Sequence, residues 1–425
     1  MKWTRRGGAL ALAAVAVGLV ACQPPLDESF GGGDGIVTTH LIDQAYHLPE
    51  AVEVQPDGKL VVLSHTNPLG WQTTVARYNP DGSLDASFGD GGIVLLDAVA
   101  IINDSDLLLQ PDGKILVADN VPAPSGGATP GLMRFNSDGT ADTGFGTDGV
   151  TTAPGVDSED LELQADGKIL MGGSGFVAGP GGFNVGRFNA DGTLDGSFGV
   201  GGVAHAEPGL SRGIEELAVQ ADGKILAAGG AETSGTVGTT RFAFARYNPD
   251  GTLDPTFSGD GMATFNLGGG AVGLAVRPDG RFVAVGSSHL FSDNGQSRMV
   301  LVQFLPDGSL DTDFGVLGAA SAADGNLARD MALLDDGRVL VVGGDSQDQP
   351  FSENHDGFIL ARFTTAGVLD NSFGQHGVGT TNKFSGPESA WAVAVQPDSK
   401  MVVVGTVPNP TDDVHNDLGL YRYAP

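Results

Sequence analysis

Short apolar runs separated by polar turns dominate the chain, and the same run-and-turn unit recurs along most of its length. The segment Val54-Gln55-Pro56-Asp57-Gly58-Lys59 returns as Leu109 to Lys114, Leu163 to Lys168, Val219 to Lys224, Val276 to Arg281, Leu333 to Arg338 and Val395 to Lys400. A second signature, Leu-Asp-x-x-Phe-Gly, ends in Phe30, Phe88, Phe145, Phe198, Phe257, Phe314 and Phe373. Both occur in seven copies with a period of about 55 to 60 residues. Between them lie runs such as Leu60-Val61-Val62-Leu63, Thr74-Val75-Ala76-Arg77-Tyr78 and Ile93-Val94-Leu95. These are short, β-branched and bounded by Asp-Gly turns, which is strand and hairpin chemistry. Each repeat predicts four strands: one before Pro-Asp-Gly, one after it, a third ending near Arg-Tyr-Asn, and a fourth after Phe-Gly. Seven four-stranded antiparallel units of this period predict an all-β, seven-bladed β-propeller over residues 26–425.

The two ends of the chain predict how the ring closes. Repeat seven stops at Leu420-Tyr421-Arg422-Tyr423, after its third strand. The missing pieces stand at the other end, as Leu26-Asp27-Glu28-Ser29-Phe30-Gly31 and then Gly35-Ile36-Val37-Thr38-Thr39. The N-terminal strand is therefore expected to complete the last blade, removing an edge that would otherwise invite aggregation.

These residues carry a resemblance. Gln-Pro-Asp-Gly-Lys-Ile-Leu-Val followed by Arg-Tyr-Asn-x-Asp-Gly-Ser-Leu-Asp-x-Ser-Phe-Gly resembles the bacterial delta-60 repeat, a β-propeller module, and covers residues 26 to 425. The resemblance implies the propeller and no particular activity. Departures from the pattern are local: Ser399 replaces a turn glycine, Gln303 replaces the third-strand arginine of repeat five, and Thr364-Thr365-Ala366-Gly367 alters one turn.

Composition narrows the function classes. The chain of 425 residues has 52 Asp or Glu against 22 Lys or Arg, a formal charge of −30, which repels phosphates and excludes nucleic acid as a partner. Its 40% hydrophobic content suffices for a core despite 67 glycines. One cysteine permits neither an internal disulfide nor a cysteine-based metal cluster. Residues 1–21 read as an export signal, with Lys2, Arg5 and Arg6 before an apolar stretch from Gly8 to Val20 that is too short to span a bilayer comfortably. Leu19-Val20-Ala21-Cys22 resembles the bacterial lipobox, which implies cleavage before Cys22, acylation of its thiol, and a tether of residues 22–25 holding the protein on a membrane. Loss of the signal's three cations would make the formal charge −33. Gln23, rather than Asp, after the cysteine favours the outer membrane by the same resemblance.

Much of the charge reads as framework. Lys59, Lys114, Lys168, Lys224, Arg281, Arg338 and Lys400 recur in the first turn, and Arg77, Arg134, Arg187, Arg246, Arg362 and Arg422 in the third strand. A half-buried guanidinium needs a carboxylate or carbonyl, so each arginine is expected to pair with an aspartate such as Asp85 or Asp57. The Asn-x-Asp-Gly-x-Leu-Asp turns faintly resemble calcium loops, but their Asn and Asp also satisfy local backbone groups and the EF-hand spacing is absent. Gly209-Leu210-Ser211-Arg212-Gly213 spells a hydrolase elbow, and Gly268, Gly270 and Gly273 spell a dinucleotide loop. Both lead into predicted strands rather than helices, so neither is functional. The eight histidines, at 40, 47, 65, 205, 289, 355, 376 and 415, share no motif.

The meander separates two faces. Turns 1–2 and 3–4 share a face that is nearly uniform between repeats. The 2–3 loops and the 4–1 connections share the other, where the repeats differ: Ser64 to Thr73 with Trp71, Asn120 to Gly131, Ser287 to Arg298 with His289 and Phe291, Asp345 to Gly357 with Phe351, and Thr406 to Asp417. Variable loops on a rigid scaffold are where binding resides, so Trp71, His289, Phe291 and Phe351 are candidate partner contacts. Six residues before each turn aspartate stand Ala51, Asp106, Asp160, Glu216, Gly273, Asp330 and Ala392. Asp106, Asp160, Glu216 and Asp330 are thus placed to ring the channel mouth, where two readings stay open: each caps backbone N–H groups between blades, or together they raise one another's pKa and recruit a cation such as Ca2+. The acidic loops Asp345, Asp348, Glu353 and Asp356, and Asp412, Asp413 and Asp417, read as a solvated rim or a second cation site. The expectation is a lipid-anchored envelope propeller, monomeric by default, that binds a protein or glycan through its variable face. The alternatives are a calcium-dependent propeller enzyme of the lactonase or quinoprotein sugar dehydrogenase type, and a purely structural envelope protein.

Overall fold

The computed structural model describes the chain except residues 1–23, 43–44, 68–71, 97–104, 124–125, 154, 176–181, 233–239, 291–296, 325, 346–356, 385 and 412–414, and the side chains of 210–212, 323–324, 326 and 345. Seven four-stranded antiparallel sheets are arranged as the blades of a propeller. Blade 1 runs Tyr46–Val54, Leu60–Asn67, Gln72–Tyr78 and Ile93–Leu96 from the innermost strand outward. Blades 2 to 6 repeat this order, and blade 7 takes Ser389–Val395, Met401–Pro408 and Asn416–Tyr423 from the C-terminal end. Its fourth strand is Ile36–Thr39, paired antiparallel with Asn416–Tyr423 in the register Ile36 to Tyr421 and Thr39 to Leu418. The ring closes as the ends of the sequence predict.

Apolar residues in the two middle strands of every blade are buried on both faces, as in Val61, Val62 and Leu63 of blade 1 and Val402, Val403 and Val404 of blade 7. Each blade therefore contributes to two cores, one shared with each neighbour. The second signature supplies the wedge between blades. Phe88 is fully buried, and the turn glycine Gly139 of blade 2 sits against its ring with a φ of 87°. A Cβ there would meet both the ring and the backbone of Gly89, which is why the turn is Asp-Gly. Gly82 stands in the same way against Phe30, and Gly251 against Phe198.

The third-strand arginines join these parts, as their spacing predicts. Arg77 Nε donates to Asp85 Oδ2 at 2.8 Å, its guanidinium lies 4.6 Å from the centre of the Phe88 ring, and its Nη1 donates to the carbonyl of Ser137 on the next blade. The arrangement recurs at Arg134, Arg187, Arg246 and, across the seam, Arg422, which pairs with Asp27, covers Phe30 and reaches the carbonyl of Pro80. The first-turn cation completes the cluster, with Lys59 Nζ 3.1 Å and Lys224 Nζ 3.1 Å from the carboxylates of Asp85 and Asp254. A backbone latch accompanies it: the N–H of Gly89 donates to Asp138 O at 2.8 Å, and equivalent bonds link each blade from 7 through 5 to the next.

The local departures are absorbed. Ser399 adopts a φ of 64° in place of glycine and still closes its turn on Gln396 O. Gln303 donates from Nε2 to Asp311 Oδ2 at 2.8 Å, imitating one arm of the arginine, but its Oε1 has no partner.

Deleting residues 26–40 removes the closing strand together with Asp27 and Phe30, and a sharp fall in the thermal midpoint is expected; an unchanged melt would refute the closure. Gln303→Arg restores the ring contact and the reach to blade 6, and is expected to stabilise the chain by about 1 kcal/mol in denaturant unfolding. A less stable variant would mean that blade 5 is shaped around glutamine.

Candidate functional site

The innermost strands surround a central cavity of about 470 Å³. Their backbones would present unpaired edge N–H groups to it, so side chains that accept hydrogen bonds are favoured there. All four predicted ring residues line this cavity. Three of them turn sideways: Asp106 Oδ2 accepts from Leu161 N at 2.9 Å, Asp160 Oδ2 from Leu217 N at 2.8 Å, and Asp330 Oδ2 from Val393 N at 2.8 Å. Each thus caps the inner edge of the following blade, which is the first of the two open readings. Among the described residues no three His, Cys, Asp or Glu side chains are grouped so as to hold a metal ion.

Further carboxylates join the ring. Glu53 and Glu162 follow two residues after their ring positions and so point the same way along the strand, a period-two signal carried by the sequence. Five innermost strands also carry a register shift, between Pro49 and Ala51, Ile214 and Glu216, Ala271 and Gly273, Ala328 and Asp330, and Ala390 and Ala392. The bulged residues are Glu50, Glu215, Val272, Arg329 and Trp391, and all line the cavity nearer the face of the 2–3 loops. Arg329 lies 4.2 Å from the centre of the Trp391 ring. Arg329 Nε and Trp391 Nε1 are buried atoms with no hydrogen-bond partner. Bulges re-aim side chains without any sequence signature, so this pair was not legible beforehand.

Crowding sets the protonation of the cavity. Burial, then the charge of Asp106, pushes Glu53 up to about 8, and burial raises Glu162 to about 7. Burial also raises Asp106 and Asp330 to about 6, the hydrogen bonds from Leu161 and Val393 limiting the shift. Asp160 and Glu216 are raised well above the carboxylate range, first by burial and then by their acidic neighbours. Asp106 hydrogen-bonds the Asp160 side chain, and two carboxyl groups can do so only when one keeps its proton.

Histidine chemistry that shows no motif converges in two places. His65 is fully buried, with Nε2 3.3 Å from Ser105 Oγ and 3.6 Å from Asp119 Oδ2, and Nδ1 3.3 Å from Glu50 Oε1. Burial alone would lower its pKa, but the two carboxylates outweigh it and lift the imidazole to about 9. A ring that holds its proton at neutral pH is no general base, so this Ser–His–carboxylate set is an ion network joining blades 1 and 2. At the closing seam His47 is buried, donates from Nδ1 to Asn416 O at 2.7 Å and accepts at Nε2 from the N–H groups of Leu41 and Ile42. Burial lowers its pKa, in keeping with a neutral ring. His40 Nδ1 lies 2.7 Å from Asp417 Oδ1 beside it, and Asp417 is buried rather than part of a solvated rim.

The remaining predicted contacts are not brought together. His289 is exposed and borders a shallow depression with Glu215 and Thr240. Trp71, Phe291, Phe351, Cys22 and the acidic loop residues 348, 353, 356, 412 and 413 lie outside the described residues, as does the side chain of Asp345. Leu210–Val219 is a strand and Gly268 to Gly270 lead into another, so neither enzyme spelling has its helix.

The pKa shifts predict the pH dependence of stability. A carboxylate whose folded pKa is raised contributes stability that is complete below the unfolded value near about pH 4 and is lost as pH rises through the folded value. For Asp106, Asp330, Glu162 and Glu53 that loss spans about 6 to about 8, and for His65 it runs through about 9. Lattice aspartates such as Asp85 and Asp254 are depressed and act oppositely, losing their contribution only in stronger acid. The thermal midpoint is expected to fall from pH 5 to pH 9, and Glu53→Gln to flatten that slope; a midpoint rising over this range would contradict the assignment.

Comparison with known proteins adds the family. A family model described as a domain of unknown function, DUF5122 beta-propeller, matches residues 55–88, 110–145, 164–198, 220–257, 277–314 and 334–373. No curated protein matches the chain. Similar solved structures include a Dyadobacter fermentans protein of unknown function at 12% identity, covering 92% of this chain and 98% of that one with a TM-score of 0.46. A glucose dehydrogenase is 11% identical over 91% and 99% of the two chains with a TM-score of 0.42. A polysaccharide lyase, an ulvan lyase, is 10% identical over 91% and 96% with a TM-score of 0.48. At these identities and scores the likeness carries nothing about ligand or reaction. With six matched repeats spanning more than half of its residues, the chain belongs to the DUF5122 β-propeller family.

Proposed function

We propose that the chain is a lipid-anchored binding module of the cell envelope, placed at the outer membrane, whose ligand sits at the channel mouth on the variable-loop face. The observation that carries this reading is the pair Arg329 and Trp391, whose Nε and Nε1 donors are buried at the cavity wall without acceptors. A buried donor left unpaired by the protein costs free energy unless something else accepts from it. Glu50, Glu159, Glu215 and Ser105 line the same cavity. A ligand that accepts from the two donors, gives hydrogen bonds to the carboxylates and tolerates an aromatic wall is a hydroxyl-rich glycan segment.

The uniform face supports the same assignment by contrast. Its recurring cations are held by framework aspartates, and its carbonyls by the arginines of the preceding blade. Chemistry not absorbed by the repeat is concentrated at the other end of the channel.

The test is a glycan array probed with the parent chain, Trp391→Ala and Arg329→Ala, followed by titration of any hit. Each variant is expected to weaken binding by about tenfold, or about 1.4 kcal/mol, with an unchanged melt. Binding that ignores both substitutions would remove the channel mouth from the site. Capture of an envelope protein that is lost on altering the 287–298 loop, and kept in Trp391→Ala, would transfer the function to a protein partner.

A further inference from the structure

Among the described residues, the large apolar side chains left in solvent are few, and three of them meet where blades 5 and 6 join. Val316 is 78% exposed, Leu317 75% and Val368 58%. The latch in which Gly315 N–H donates to Ala366 O at 2.8 Å brings their two turns together. Both turns break the repeat, and in the same sense. Leu317 has a φ of 54°, in the left-handed region, where other blades place Gly91, Asp148, Gly201 and His376. A leucine resists this backbone, and its exposed side chain gains no packing in return. Val368 replaces the hydroxyl residues Ser83, Thr140, Thr193, Thr252 and Ser309, and Ala366 replaces the aspartate that each of them bonds. The blade 6 turn is therefore the one place in the repeated turn series where an exposed carboxylate has given way to apolar atoms. Exposed strain kept against the local rule marks a functional surface.

The N-terminal segment arrives at the same blade. Pro24 lies so closely over Gly379, in the outer strand Val378–Thr381 of blade 6, that no side chain would fit there. Cys22, the residue that the lipid-anchor reading acylates, stands two residues earlier in the sequence. Resting on the lipid-anchor reading above, we propose that the rim of blades 5 and 6, through Val316, Leu317 and Val368, is the surface by which the propeller rests on the lipid bilayer. The contact is off the propeller axis, so the ring stands tilted on the membrane instead of lying flat on its uniform face. That face carries Asp81, Asp138, Asp191, Asp250 and Asp307 in its other turns, and such charges resist a bilayer surface while the apolar rim does not. A lipid anchor is strengthened by a second signal, and three exposed apolar side chains where blades 5 and 6 join provide one.

The experiment uses the full chain with its own N-terminus, reconstituted into phosphatidylcholine vesicles containing brominated lipid. A bimane probe is placed in separate variants at L317C, V368C and V200C. Val200 is the control, occupying the equivalent turn of blade 3 and 90% exposed. Bimane at positions 317 and 368 is expected to lose most of its emission while position 200 keeps its own. Equal quenching at all three sites, or none at any, with Cys22 acylated by intact mass, overturns the tilted rim and leaves the anchor reading standing. An unacylated Cys22 removes the anchor reading and this proposal with it. Emission that changes with protein concentration in the absence of vesicles means that a second copy covers the rim, and also overturns the proposal. L317G suits the left-handed turn, so L317G combined with V368C is expected to melt no lower than V368C alone yet show weaker quenching. Undiminished quenching in that variant would remove Leu317 from the contact.

Discussion

The structure depends on one repeated constraint: a guanidinium that must be satisfied on every side at the junction of two blades. Arg246 shows the arrangement in full, with Asp254 on its Nε, the Phe257 ring beneath it, Thr256 on one terminal nitrogen and the carbonyl of Pro306 on the other. The carboxylate is itself held by Thr256 and Lys224. Removing any one member leaves a buried charge or carbonyl unpaired, which costs far more than the pair contributes over an apolar alternative. The lattice thus acts chiefly as a specifier of geometry. It fixes the distance between the third strand of one blade and the turn of the next, and so the angle at which seven blades close.

That constraint divides the chemistry of the molecule. At the uniform face, hydrogen bonds from Ser87, Thr256 and Ser372, joined by the lattice cations, hold the pKa values of Asp85, Asp254 and Asp370 low. Among the described side chains, the cations at the innermost strands are Arg329 near the mouth and Arg277 at the far end. The carboxylates of these strands are raised, because burial and mutual repulsion both oppose ionisation. The same residue type is pushed in opposite directions at the two ends of one repeat: hydroxyl and backbone donors with a neighbouring cation lower the lattice aspartates, and burial among other carboxylates raises those of the channel. The closing seam obeys the same logic, since Arg422 and Asp27 come from opposite ends of the chain and rebuild the cluster that every other blade makes locally.

What the sequence reveals and what it conceals divides along the same line. Features set by the repeat were legible: four strands per unit, the ring closed by Ile36–Thr39, Arg77 paired with Asp85, and the placement of Asp106, Asp160 and Asp330 at the channel, with capping of the next blade as one of two open readings. Features set by a single bulge or by contacts distant in sequence were not. Arg329 and Trp391 meet only because two neighbouring strands each insert a residue at the same level. His65, Glu50, Asp119 and Ser105 come from four strands or approaches to strands in two blades, with no spacing that unites them. Glu53 and Glu162 lie between, since alternation along the strand implies their direction once the ring position is known.

Departures from the repeat are of two kinds, and their physical treatment distinguishes them. Gln303 and Ser399 keep the interaction that their position demands, one by reaching Asp311 with an amide and the other by entering the left-handed region as a small polar residue. Nothing outside the blade is needed to account for them. Val368 keeps its N–H bonded, to Thr364 Oγ1 at 3.2 Å, but its side chain and that of Leu317 stand exposed, and the bulged Arg329 and Trp391 bury donors that the protein leaves unmatched. A fold held by so regular a lattice tolerates local cost at a few positions without losing its geometry, because the remaining junctions still define the ring. The rim of blades 5 and 6 and the mouth of the channel are where that tolerance is used, and they are where contacts beyond the chain account for what the fold alone does not.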